Sequence, residues 1–306
     1  MSSASTTEFV ETLQHRRFVE FCYSCRRYGY IGLCYGPPGV GKTLSARRYS
    51  NWDQVKARDC WQADTVVEGP VWDTVFYTPP VVNTPGIINA EINHSRERLR
   101  QFARQPIRFE AAKELKSIRR RDEDHMAVAL YTHDWLTEPI PELHPTYTDV
   151  AKDYSAKELK IGDPTTLILV DEADRLRMAS LEQVRAIFDA GDIGLVLIGM
   201  PGLEKRLARY PQFYSRVGFV HEFRPLGISE MQQLLSQHWA PQGVTLPRKP
   251  LDTETTAAII RVTGGNFRLL SRLLTQIERL LEINMLDEVS KAVVEAARES
   301  LVIGES

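Results

Sequence analysis

Residues Gly36 to Thr43 read GPPGVGKT, placing three glycines, a lysine and a threonine at the spacing GxxxxGK[ST]. Each residue type has a job in phosphate chemistry. Gly36, Gly39 and Gly41 let the backbone turn its amides toward anionic oxygens, at a helix N-terminus whose dipole also favours negative charge. The Lys42 ammonium is placed to reach β and γ phosphates, and the Thr43 hydroxyl to ligate Mg²⁺. The whole run Gly36, Pro37, Pro38, Gly39, Val40, Gly41, Lys42 and Thr43, with Leu44 after it, is expected to line a nucleotide.

A second constellation is TLILVDE, an apolar run ending in two acids. Asp171 is placed to hold Mg²⁺ through water, and Glu172 to polarise an attacking water. Arginines form a third set. Arg268, in GGNFR at a helix start, is positioned to reach the γ-phosphate, and Arg216, in YPQFYSRVGF, to complete a neighbouring subunit's site, with Arg206 and Arg209 as competitors. An arginine supplied in trans would make hydrolysis depend on assembly.

The elements that must position these groups are legible around them. Tyr30 to Tyr35 is an apolar run ending at the glycine loop, and helix-compatible residues follow: strand, loop, helix. Asp73 to Tyr77, Thr166 to Val170 and Gly194 to Ile198 read as further strands. Short β-rich runs alternating with helical stretches predict an α/β class, a parallel sheet flanked by helices. Residues 8–28 suit one or two amphipathic helices. From Ile87 to about Arg121 the pattern is helical, with a break expected at Pro106 because proline lacks an amide proton and crowds the preceding turn. After Pro225 only helices are expected. The organisation predicted is an N-terminal helical segment 1–29, a core 30–225 with an insertion at about 124–163, and a small helical lid 226–306.

With 306 residues, 43% of them hydrophobic and 25% charged, the chain is long enough for one main domain and a lid, which excludes a disordered or fibrous protein. The apolar run Ile193 to Met200 is far short of the roughly 20 residues of a membrane span, so no membrane partner is expected. The N-terminus lacks the basic-then-apolar order of a signal peptide, which favours the cytoplasm. The net charge of −2 hides a strong asymmetry: His94 to Arg121 holds ten Lys or Arg against Glu97, Glu110 and Glu114, a local balance of +7. Residues 134–174 invert the sign. Cys22 and Cys25 form a CxxC without further zinc ligands, and are read with Cys34 and Cys60 as structural thiols.

Strand, GPPGVGKT, strand, DEADRLR, strand, SRV and GNFR occur in an order that resembles the AAA+ ATPases over roughly residues 30–285. Within that superfamily, DEADRLRMASLEQVRAIFD followed by GLVLIGMPGLEKRLARYPQFYSRVGFVHEFRPL resembles the ATP-binding regulators of DNA transposition, the TniB, TnsC and MuB kind. The resemblance implies an AAA+ core with a lid, an ATP- and Mg²⁺-dependent ATPase, and sequence-tolerant binding to double-stranded DNA. It also implies homo-oligomers as rings or helical filaments, and engagement of a DDE transposase, with or without a target-selection protein. In such regulators the DNA-facing residues follow the second strand, which here points to Arg96, Arg98, Arg100, Arg104, Lys113 and Lys116. Phosphate contacts of that kind give affinity without sequence choice; the competing reading is a helix face balanced by the acidic segment downstream. The sequence departs from the superfamily pattern at Gly199 and Met200, where a polar sensor is usual. A helicase loader, a secretion ATPase or a small-molecule kinase are the competing functions. The literal DEAD suggests a helicase, but such helicases need two nucleotide-binding-type domains.

Overall fold

A computed structural model describes residues 9–59, 72–132, 145–247 and 249–301. Five parallel strands form its centre: β1 (Ile31–Tyr35), β2 (Thr74–Tyr77), β3 (Leu167–Val170), β4 (Gly194–Gly199) and β5 (Val217–Glu222), in the spatial order β2-β3-β4-β1-β5. Strands β1, β3 and β4 are buried on both faces, β3 and β4 through runs of branched aliphatics, as a sheet covered by helices on each side requires. The register sets Tyr35 beside Gly199 and Val170 beside Leu197. The C-terminal ends of these three strands therefore form one edge, the place where open α/β sheets take ligands.

Helix α1 (Leu13–Tyr28) begins with Thr12 capping the His15 amide and buries Phe18, Phe21, Cys22 and Cys25 against the sheet. The thiols of Cys22, Cys25 and Cys34 are free and buried, and burial raises their pKa, that of Cys25 to about 12. They are inert packing groups, as expected; Cys60 lies outside the described residues. Helices α2 (Lys42–Ser50) and α3 (Trp52–Ala57) follow the glycine loop.

Two expectations are corrected. The first concerns Pro106, because α4 (Pro85–Thr132) runs through it unbroken. Proline in a helix interior costs about 3 kcal/mol. Packing on both sides offsets it: Leu99 and Phe102 are buried, Gln105 donates to the Asp59 carbonyl, and Arg108 pairs with Glu158. The second is β5, which the sequence reading passed over. It contains glycine and lies at the sheet edge, so its residues alternate between half-buried and exposed and it lacks the apolar density of the other strands.

Residues 124–163, expected as an insertion, fall on the end of α4, on residues 133–144 outside the described set, and on α5 (Pro145–Leu159). Helix α5 lies back along α4, with Tyr154 donating to Glu114 as well as the Arg108–Glu158 pair. Helix α6 (Met178–Asp189) covers the sheet, and α7 (Leu203–Ala208) and α8 (Pro211–Tyr214) join β4 to β5. Beyond β5, helices α9 (Ile228–Ser236), α10 (Thr253–Thr263), α11 (Phe267–Asn284) and α12 (Lys291–Glu299) have their own core. Leu270, Leu273, Leu274, Ile277 and Leu281 of α11 fill it from one helical face.

His221 of β5 packs among Phe18, Phe21 and Phe223, with ring centroids 6.1, 5.5 and 5.6 Å away. Burial and then Arg17 depress its pKa to about 4, against the opposing pull of Glu222. The unfolded chain, with an ordinary imidazole near 6.5, therefore binds this proton first, so stability falls as pH drops through about 6.5 and the loss levels off near 4. His221→Gln should flatten that part of a stability-against-pH curve measured by urea denaturation; an unchanged slope would remove His221 as its source.

Candidate functional site

The glycine loop turns between β1 and α2 with Gly39 and Gly41 at φ +81° and +103°, a region that side-chain-bearing residues rarely adopt. The Lys42 ammonium folds back over the loop and donates to the carbonyls of Gly36 at 2.5 Å and Pro37 at 2.8 Å. It is half-buried, and burial pulls its pKa down against the opposing fields of Asp171 and Asp174. A lysine satisfied by neutral carbonyls, beside a cavity, is free to exchange them for an anion.

Asp171 ends β3 and is 3% exposed, and its carboxylate accepts the Thr43 hydroxyl at 2.7 Å. Burial raises its pKa despite hydrogen bonds from Thr43 and the Glu172 amide. This hydroxyl and carboxylate fit a divalent cation that keeps several waters and takes further oxygens from a phosphate, as Mg²⁺ does. No cluster of three or more His, Cys, Asp or Glu suited to a metal occurs among the described residues. Glu172 sits in the left-handed region at φ 49°, which aims successive side chains of the turn in different directions. Its carboxylate pairs with Arg175, whose guanidinium also donates to the Pro79 carbonyl after β2. Asn83 closes the same knot by donating to the carbonyls of Arg175 and Pro80, both at 3.0 Å.

The lid is attached to the glycine loop. Asn266 caps α11 by accepting the Arg268 and Leu269 amides, while its own amide donates to the Pro38 carbonyl at 2.8 Å. The Arg268 amide also donates to the Gly39 carbonyl. The resulting cavity of about 770 Å³ is lined by loop residues Pro38 to Leu44, by Asp171, Glu172 and Asp174, and by Arg268. Phe9, Val10 and Thr12 from the N-terminal segment, with Trp239 and Phe267 from the lid, form its apolar side. Gly36 and Pro37 touch the site through their carbonyls alone.

Comparison with known proteins is decisive at this point: residues 25–207 match the AAA domain family. The chain belongs to that family. It is also 38% identical over 304 residues to a Staphylococcus aureus protein described as a potential ATP-binding protein, covering 97% of each chain. Among solved structures, the Thermotoga maritima RuvB Holliday junction branch migration motor superposes with a TM-score of 0.52 at 15% identity, over 98% of this chain and 72% of that one. The Aeropyrum pernix ORC1 protein, solved in complex with DNA, gives 0.49 at 18% identity, over 97% and 67%. At such identities the RuvB likeness shows the fold alone, an AAA+ sheet flanked by helices.

This AAA domain places the remaining predicted residues elsewhere. Arg216 pairs with Asp189 at 2.6 Å and donates to the Gln212 carbonyl, away from the cavity of its own chain. Arg206 holds the carbonyls of Asp174 and Leu176, which commits it to the turn after β3, while Arg209 is exposed. On α4, Arg96 pairs with Asp163 at 2.6 Å, Arg98 donates to the carbonyls of Val55, Lys56 and Arg58, and Arg100 and Arg104 pair with Glu97. These four arginines brace the protein, and the acidic segment downstream supplies part of the balance. Lys113 and Lys116 are exposed.

Three groups of residues in or beside the cavity carry no role in the sequence pattern. Asn266 carried a signal, since an Asn before an amphipathic run marks a helix start. Asp174 lay inside DEAD, spelled out but assigned no task. Phe9, Trp239 and Phe267 had none, because only tertiary structure brings them together. Arg96→Ala should cost about 1 kcal/mol of stability by chemical denaturation, with duplex-DNA affinity changed less than by Lys113→Ala combined with Lys116→Ala. The reverse order would show that Arg96 leaves Asp163 to meet phosphate.

Proposed function

We propose that this AAA domain binds and hydrolyses ATP as a switch controlling an assembly on double-stranded DNA. The observation that carries the proposal is the Thr43–Asp171 contact at 2.7 Å beside a lysine bonded only to loop carbonyls, at the mouth of a cavity that the lid helps to line. Lys42 exchanges its carbonyl partners for β and γ phosphate oxygens, and the amides of residues 39–43 take the remaining charge at the start of α2. Thr43 and Asp171 would hold Mg²⁺, which when bound would neutralise charge developing on the phosphoryl oxygens. Trp239 and Phe267, edge to face with centroids 5.8 Å apart, take the base together with Phe9 and Val10.

Glu172 polarises the attacking water once its carboxylate leaves Arg175. Because the Arg175 guanidinium also holds the Pro79 carbonyl, the release of Glu172 is tied to the segment leading from β2 into α4. Arg216, on the opposite side of the core, completes the site of a second copy in a ring or filament. The exposed Lys113 and Lys116 of α4 and the branch migration named for RuvB support DNA as the track. The likeness of residues 171–226 to the TniB, TnsC and MuB kind supports a DDE transposase as the partner that reads the assembly, with or without a target selector.

Lys42→Ala should abolish nucleotide binding and assembly together. Glu172→Gln should bind ATP normally, lower kcat by a factor of about 10² or more, and hold the assembled state. Both are read by fluorescent-nucleotide titration, phosphate release and negative-stain imaging on duplex and single-stranded DNA with a non-hydrolysable analogue, ADP or neither. Nucleotide binding without duplex binding in any state would overturn the DNA assignment, and a preference for single strands would favour a helicase loader.

A further inference from the structure

Strand β4 lies between β1 and β3, so its end points between the glycine loop and Asp171. That end is Gly199, which offers no side chain to the cavity. The space is shared by Asp174, three residues beyond Asp171, and the buried Leu203: a Cβ placed on Gly199 would stand 2.6 and 2.9 Å from the two carboxylate oxygens of Asp174 and 2.8 Å from Leu203 Cδ2. One of those oxygens accepts the Met200 amide at 2.8 Å, which fastens the Asp171 loop to the turn leading into α7. The backbone of Asp174 is fixed from the other side, where Arg206 of α7 donates to its carbonyl at 2.9 Å. Turn and loop are thus joined twice, once through the carboxylate and once through the guanidinium, and only the carboxylate joint opens onto the cavity.

We propose that Asp174 supplies, from the β3 side, the polar group that the end of β4 lacks, and that it positions the β4–α7 turn according to whether a γ-phosphate is present. The inference rests on the ATP reading above. A triphosphate brings negative charge to the end of the cavity that Lys42 and Asp174 share, and like charges repel. A diphosphate ends short of it. The carboxylate therefore feels the γ-phosphate selectively, and its hydrogen bond carries any displacement to Met200 and on to α7, the element that precedes Arg209 and Arg216. Asp174 acts here as a positioning residue.

Charge and hydrogen bond are separable by substitution. Affinities for mant-ADP and a mant-labelled non-hydrolysable ATP analogue, with Mg²⁺, are measured beside steady-state hydrolysis on the full chain. Asp174→Asn removes the charge and keeps an acceptor for Met200; it should bind the analogue about fivefold tighter, with ADP affinity within twofold of wild type. Asp174→Ala, which also removes the acceptor, should lower kcat about tenfold at unchanged ADP affinity. Gly199→Ala leaves Asp174 in the chain but pushes its carboxylate and Leu203 aside; it should reproduce the kcat loss even if Asp174→Ala does not fold, and should do so equally when Leu203→Val relieves the second contact. Equal changes in analogue and ADP affinity, or none, in Asp174→Asn would overturn the charge role. Wild-type kcat in Gly199→Ala would overturn the positioning role. Failure of the wild-type chain to bind either nucleotide would instead overturn the ATP reading itself.

Discussion

A buried carboxylate without a donor is among the most expensive features a core can contain, and Asp171 is buried at the end of β3, a strand buried along its whole length. Its hydroxyl donor is Thr43, reached across β4 from a loop 128 residues earlier in sequence. That single contact requires the glycine loop to stand at one height above the sheet, which requires β1, β4 and β3 to keep the register that aligns their C-terminal ends. The aliphatic density of the strands fixes the register, and the sheet in turn fixes the direction in which α2 leaves the loop. The chemistry and the fold meet in one hydrogen bond whose donor and acceptor are also the groups suited to a divalent cation.

Groups arranged around this contact are held in states that a ligand would change. Lys42 rests on carbonyls and Glu172 on Arg175. For Lys42 the resting partners are adequate in the free chain and weaker than a phosphate would be, since hydrogen bonds between charged groups exceed those to neutral carbonyls. Specificity for a charged ligand arises here from the modest quality of the resting contacts as much as from the quality of the bound ones.

The glycine loop, the two acids and four of the five strands were legible because they depend on local pattern: glycine where φ turns positive, aliphatic runs where both sheet faces are covered, adjacent acids at a strand end. The failures share the opposite property. β5 is an edge strand whose exposure dilutes its apolar pattern, and Pro106 is outweighed by contacts from α5 and residue Asp59 that no local window contains. The arginines of α4 looked available because sequence shows charge and not its partner; Asp163 and the carbonyls of Val55, Lys56 and Arg58 are distant in the chain. Trp239 and Phe9 meet the glycine loop only when lid and N-terminal segment fold over it.

Helix α4 is 48 residues long, about 72 Å at 1.5 Å per residue. Ile88, Ile92, Leu99 and Phe102 bury its first part in the core, while the later part is accompanied by α5. Mechanically this is a beam clamped at one end and stiffened by a second rod. A tilt of about 5° at the clamp would carry a point about 40 Å along it through roughly 3.5 Å, on the dimensions of an α-helix. The clamp begins just after Pro79 to Asn83, the residues knotted to Arg175, so the hairpin would convert small displacements beside Asp171 and Glu172 into travel at the far end of the helix.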